Sequence, residues 1–284
     1  MPAAAGARGL SVTRALAARF DGHAETALHP ELRAYVGDLV RPYGLPLRED
    51  VLSEGAGQDY GRMAADLLGQ VLAEDEPADL LILAHSAHDV RPGAPTALYL
   101  SRHCPGQPTA FSVCDQGSSA AFTALRLASA HHRTGGCRRA VIVLAEQSAL
   151  PYQPAGPVDL PKEHRAVVLV CEERPAPGLR VRQESGTTGP AALRAALAER
   201  RELGAGTDLL LASELAAELA AEPTADPRAG AAPESVEAAA PGQPFTGVWT
   251  LLADRLARRP EDVGPLLVAD HDRRLGRLST LALA

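Results

Sequence analysis

The stretch from Asp79 to Ser148 reads DLLILAHSAHDVRPGAPTALYLSRHCPGQPTAFSVCDQGSSAAFTALRLASAHHRTGGCRRAVIVLAEQS, and its reading decides the fold. Three short apolar runs, Leu80 to Ala84, Thr109 to Val113 and Arg139 to Ala145, alternate with two segments of helical periodicity, Pro95 to Cys104 and Ser118 to His132. Continuous apolar runs of this length read as strands covered on both faces, and their alternation with helices implies a largely parallel sheet. Pro95 stands near the start of the first helix, and Ser118 or Ser119 suits the N-cap of the second.

Outward from this stretch the pattern continues. Arg62 to Glu74 places Met63, Leu67, Leu68, Val71 and Leu72 on one helical face, and Arg165 to Cys171 is a further apolar strand. After a Pro/Gly break at Arg174 to Gly178, strand Leu179 to Gln183 precedes helix Pro190 to Leu203, and strand Asp208 to Ala212 precedes helix Glu214 to Glu222. The Ala/Pro/Glu-rich stretch from Pro223 to Gly242 reads as an irregular surface loop. Helix Thr246 to Arg258 then precedes strands Pro265 to Ala269 and Leu278 to Leu283. The same β/α order twice, each time closing on a pair of strands without a long helix between them, points to an internal duplication, with halves at 1–175 and 176–284.

Composition excludes several function classes. The 284 residues carry a net charge of −7, which argues against nucleic acid as the main partner. Residues 1–9 lack the charged flank and sustained apolar stretch of a signal peptide, and no run approaches a membrane span, so the expected location is the cytoplasm, with no membrane contact. Cys104, Cys114, Cys137 and Cys171 have no CxxC spacing and read as reduced thiols, with no metal site. Only Lys162 is a lysine, isoleucine occurs only at 82 and 142, and asparagine is absent, the usage of a GC-rich genome.

Familiar motifs are missing. The cluster Gly55-Ala-Gly57 with Gly61 misses the dinucleotide-binding spacing and reads as a loop; there is no P-loop, no HExxH and no GxSxG. His131 and His132, at a helix C-terminus, complement the helix dipole, and as neighbours on a helix they point apart, which disfavours a shared metal.

Pro95-Thr-Ala97, Ala110-Phe-Ser-Val113, Ala124-Leu125, Ala128, Gly135 and Val141-Ile-Val-Leu-Ala-Glu146 occur in one order and at nearly the spacings of a known family: the chain resembles the β-ketoacyl-ACP synthase III branch of the thiolase-fold superfamily. The resemblance implies a five-layer αβαβα fold built from two β/α halves, and a nucleophilic cysteine at a helix N-terminus with a histidine and an asparagine from the second half. It covers the first half by motif and the second mainly by element order.

This chain departs from that set. Counting back from Ala124-Leu125 puts the nucleophile on Ser118; counting forward from Ala110 puts it on Gly117; Cys114 would need a shift of several residues. The family histidine falls on Ser213 and the asparagine on Gln243, and with no asparagine in the chain the full set cannot exist. Unpaired N–H groups and the dipole at a helix N-terminus favour a thiolate and a developing oxyanion, but a serine there needs a general base. His271, with Asp270 or Asp272 orienting it, would serve Ser118 as that base; otherwise Asp270 to Arg274 is a solvated hairpin turn. Glu146 reads either as a strand-end helix partner or as part of a buried network.

The resemblance therefore implies a degenerate subunit of polyketide or fatty-acyl-derived secondary metabolism beside a catalytically intact synthase. The alternatives are a Ser118-dependent acyltransferase or starter-unit selector, and a non-catalytic scaffold that docks carrier protein. Expected partners are acyl carrier protein or acyl-CoA and a second subunit, as homodimer or heterodimer, joined near Thr109 to Val113; no cofactor is expected.

Overall fold

The computed structural model describes residues 8–91, 95–175, 178–221, 235–258 and 264–283. The first half runs β1 (Gly9–Phe20), α1 (Pro30–Val40), α2 (Glu49–Glu54), α3 (Tyr60–Val71), β2 (Leu80–His85), α4 (Thr96–His103), β3 (Thr109–Val113), α5 (Ser119–Arg133), β4 (Arg139–Glu146) and β5 (His164–Arg174). The second runs β6 (Arg180–Ser185), α6 (Gly189–Leu203), β7 (Asp208–Leu211), α7 (Ser213–Ala221), β8 (Val236–Ala238), α8 (Gly247–Arg258), β9 (Leu266–Asp272) and β10 (Arg277–Leu283).

Two five-stranded sheets form, in the orders β1-β5-β4-β2-β3 and β6-β10-β9-β7-β8. They are the same sheet made twice: β2 pairs parallel with β3 and β4, and β7 pairs parallel with β8 and β9, while β1–β5–β4 and β6–β10–β9 are antiparallel. Apolar residues from α5, α8 and the facing sides of both sheets make the central core, α3 and α4 cover the outer face of the first sheet, and α6 and α7 cover that of the second. The result is five layers, αβαβα. Because strands such as β4 are buried on both faces, period-two alternation is lost, which is why they read as unbroken apolar runs.

Three parts differ from the sequence reading. β1 carries no clean alternation because its register slips between Val12 and Arg14. Leu10 and Val12 face the central core before the slip, Ala15 and Ala17 face it afterwards, and Leu16, Ala18 and Phe20 turn to the outer layer. One extra residue thus flips the parity of the strand. The segment 25–54, with α1 and α2, builds a satellite cluster of Ala27, Leu32, Val36, Val40 and Val90. Finally, the stretch read as loop from Pro223 to Gly242 contains β8; its residues 223–234 lie outside the described residues.

Candidate functional site

The end of β3 and the start of α5 are joined by a tight elbow in which Asp115 (φ +59°) and Gly117 (φ +52°) both take left-handed backbone. A non-glycine residue in that region is strained, and such strain gathers where a side chain must be aimed. The elbow delivers Ser118 to the N-cap of α5, half-buried, with no capping bond from its own side chain. Beneath it the helix is tied to the second sheet by a buried polar network: Ser279 Oγ donates to Ser119 Oγ (3.2 Å), and Gln183 Nε2 donates to the Ser119 carbonyl (3.1 Å) and to Thr123 Oγ1 (3.2 Å).

Across from Ser118 stands the end of β9. Leu266 and Val268 belong to the central core while Leu267 and Ala269 belong to the outer layer, so alternation puts Asp270 and Asp272 on the side of α5 and His271 on the side of α6 and α7. Asp272 holds the elbow directly: its Oδ2 accepts from Ser118 N–H (3.1 Å) and its Oδ1 from Leu275 N–H (2.9 Å). A Cβ on Gly117 would collide with that carboxylate. Asp270 is buried, and burial pushes its carboxyl up to about 7; the nearby Ser118 hydroxyl pulls the other way, and the charges of Asp272 and Glu214 add to the rise.

His271 is therefore placed differently from the reading that made it the base. It lies inside β9, buried, and Nε2 donates to the Thr187 carbonyl (3.1 Å), while Nδ1 has no partner among the described residues. The segment Asp270 to Asp272 is strand and not hairpin turn, because the sheet pairing of β9 with β10 runs to Asp272 opposite Arg277. Ser118 meets Asp272 through its N–H, while the imidazole is held at the Thr187 carbonyl. The i, i+2 spacing of Asp270 and Asp272 is the signal for this, and it becomes readable once the strand is carried two residues past the apolar run.

At the matching place in the other half, Glu146 ends β4 and is fully buried. Its carboxylate accepts from Gln243 Nε2 (2.9 Å), Phe245 N–H (3.1 Å), Thr246 N–H (2.9 Å) and the Thr246 hydroxyl, just before α8. Burial raises its pKa and these donors oppose the rise. Of the two readings open for Glu146, the structure shows both at once: a strand-end carboxylate that caps a helix within a buried network. Gln243 is engaged on every side, since Nε2 also donates to the Glu163 carbonyl (3.2 Å) and Oε1 accepts from Glu163 N–H (3.0 Å). Ser213 opens α7.

A cavity of about 690 Å³ joins these elements; Ser118, Glu146, Ser213, Asp270, His271 and Asp272 are in its wall, and exposed Val158, Leu160 and Leu275 stand at it. Gln243 is not in that wall. Cys114 lies outside it, and burial together with Asp115, whose Oδ2 accepts from its thiol (3.3 Å), pushes the thiol up, away from the thiolate a nucleophile needs. Among the described residues no cluster of His, Cys, Asp and Glu could hold a metal ion, and no helix is long and apolar enough to cross a membrane.

No family model and no curated protein matches the sequence. Solved structures do match the fold over its whole extent. The β-ketoacyl-[acyl carrier protein] synthase III of Thermus thermophilus is 14% identical, covers 96% of this chain and 98% of its own, and superposes with a TM-score of 0.63. A Xanthomonas campestris OleA variant with bound lauric acid and lauroyl-CoA is 14% identical over 97% and 99%, with a TM-score of 0.62. ChlB3, described as an acyltransferase, is 18% identical over 96% and 97%, with a TM-score of 0.60. The chain thus has the thiolase-like fold of synthase III-type proteins.

Proposed function

We propose that this chain is a synthase III-like subunit without condensing activity of its own, which serves beside a catalytically intact synthase in polyketide or fatty-acyl-derived secondary metabolism. The observation that carries the reading is the Asp272 carboxylate on Ser118 N–H. In acyl transfer the oxyanion needs an N–H donor in that place, and here a negative group holds it. The rest agrees: the N-cap of α5 carries a hydroxyl and not a thiol, Gln243 is engaged with Glu146 and Glu163, and Ser213 stands where the resemblance places an imidazole. β3 supports a partner, since it closes one side of its sheet with no strand on its outer edge among the described residues. Thr109 and Ser112 there are exposed. The expected acyl ligands, on CoA or carrier protein, are those of the fold's neighbours, of which one holds lauroyl-CoA.

A second reading has an observation of its own. Ser118 and Asp270 line the same cavity on the α5 side, and Asp270 is a carboxyl near neutrality, the pair of groups a serine acyltransferase would use. Incubation with acyl-CoA followed by intact-mass measurement separates the two. The inert reading expects no adduct, together with co-purification of an intact Cys-His-Asn synthase encoded beside this gene. An acyl adduct lost in Ser118→Ala would replace it with the acyltransferase.

A further inference from the structure

We infer that Asp272 holds shut a latent acyl-acceptor pair, Ser118 with Asp270 as its base, and that removing the Asp272 carboxylate lets Ser118 take an acyl group from a CoA thioester. The inference rests on the inert reading above and concerns what enforces it.

The first turn of α5 has few donors to offer. Ser119 N–H is bound to the Gln116 carbonyl (3.1 Å) and Ala120 N–H to the Gly117 carbonyl (3.3 Å), which leaves Ser118 N–H as the donor not closed by backbone. Asp272 closes it. The same carboxylate sets a negative charge where a carbonyl oxygen would gain one, and its charge adds to burial in raising the Asp270 carboxyl. One side chain therefore acts three times against the same reaction. It is also separable from the fold: Asp272 is half-buried in a cavity wall and accepts two bonds, whereas Glu146, its counterpart on α8, is fully buried and accepts four.

With Asp272 gone, the step balances within the site. Ser118 Oγ attacks the thioester carbonyl carbon, and its proton passes to the Asp270 carboxylate. The tetrahedral oxyanion is held by Ser118 N–H. The C–S bond then breaks, and the departing CoA thiolate recovers the proton from Asp270, leaving an ester on Ser118 and free CoA thiol. No oxidant, metal or further reactant takes part.

The test is acylation of the full chain by acetyl-CoA and by lauroyl-CoA, followed by intact mass and peptide mapping, with circular dichroism to verify folding. Asp272→Ala is expected to acquire one acyl group at a rate at least ~100-fold above wild type, the size of a restored oxyanion donor. Asp272→Asn, which removes the charge and keeps an acceptor for Leu275, is expected to gain less. The adduct should vanish in Asp272→Ala/Ser118→Ala. In Asp272→Ala/Asp270→Asn it should fall at least ~10-fold and lose its rise with pH. If both folded Asp272 variants and wild type remain unmodified, the inference is overturned and the inert reading stands. Wild type acylated as fast as the variants would instead sink the inert reading. An adduct that survives Ser118→Ala, or loss of the fold in both Asp272 variants, would show that Asp272 is not a gate on Ser118.

Discussion

The N-termini of α5 and α8 are the same place in the two halves, and each receives a carboxylate from the strand that ends beside it in the opposite sheet. Glu146, at the end of β4, caps the entry to α8, and Asp272, at the end of β9, caps the entry to α5. A carboxylate is the natural partner of unpaired N–H groups and of the positive end of a helix dipole, so a duplicated fold has a reason to place one at both. The two differ in surroundings. Both border the same cavity, but Glu146 is fully buried and accepts four hydrogen bonds, while Asp272 is half-buried, accepts two, and stands beside a serine and a second carboxyl. One capping carboxylate is therefore locked into the interior, and the other is held by two bonds beside Ser118.

If that contrast holds, substitutions should sort by it. Glu146→Ala strands two N–H groups, a hydroxyl and the Gln243 amide in the interior, and is expected to cost at least about 3 kcal/mol in denaturant unfolding. A cost like that of an ordinary surface change would break the comparison. Gly117→Ala is next, at about 2 kcal/mol, because an L side chain is strained at its left-handed φ and its Cβ displaces Asp272. In an Asp272→Ala background part of that cost should disappear, by about 1 kcal/mol of coupling in a double-mutant cycle.

Asp270→Asn tests the charge of the pair through pH. The folded carboxyl holds its proton up to about 7 while an unfolded aspartate releases it near ~4, so the wild-type protein loses stability as pH rises between those values and is flat above. The variant lacks this loss. It is expected to equal wild type near pH 4 and to exceed it by up to about 4 kcal/mol at pH 8, the full size of a shift of about three pKa units; a constant difference across pH would refute the shift. Asp89, half-buried and raised to about 7 by the desolvation of its carboxyl and by Asp59, leaves its own slope in both proteins. The smallest effect is that of Asp272→Ala on stability, about 1 kcal/mol, as for the loss of a helix cap open to solvent.

Much of the fold was legible in the chain because buried parallel strands and amphipathic helices leave long, regular signals, as at Leu80 to Ala84 and Arg139 to Ala145. β1 was not, since a one-residue slip at Thr13 erases the alternation it would be read by. β8 was not, since three residues carry too little pattern inside a Pro/Ala-rich stretch. The site was half legible. Ser118, and the absence of any asparagine, follow from spacing and counting. His271 is the one histidine of the second half, in a segment the resemblance sets beside the nucleophile, but strand alternation sends neighbours to opposite faces, and the ring turns to Thr187.

The β/α order, its repetition and the absence of asparagine from the chain were set by the sequence alone, because these depend only on residue type and spacing. Tertiary structure alone decided which carboxylate meets Ser118 and which meets α8. Those contacts join residues 99 to 154 positions apart, Phe245 to Glu146 and Ser118 to Asp272, and they exist only where two sheets close on a shared layer of helices.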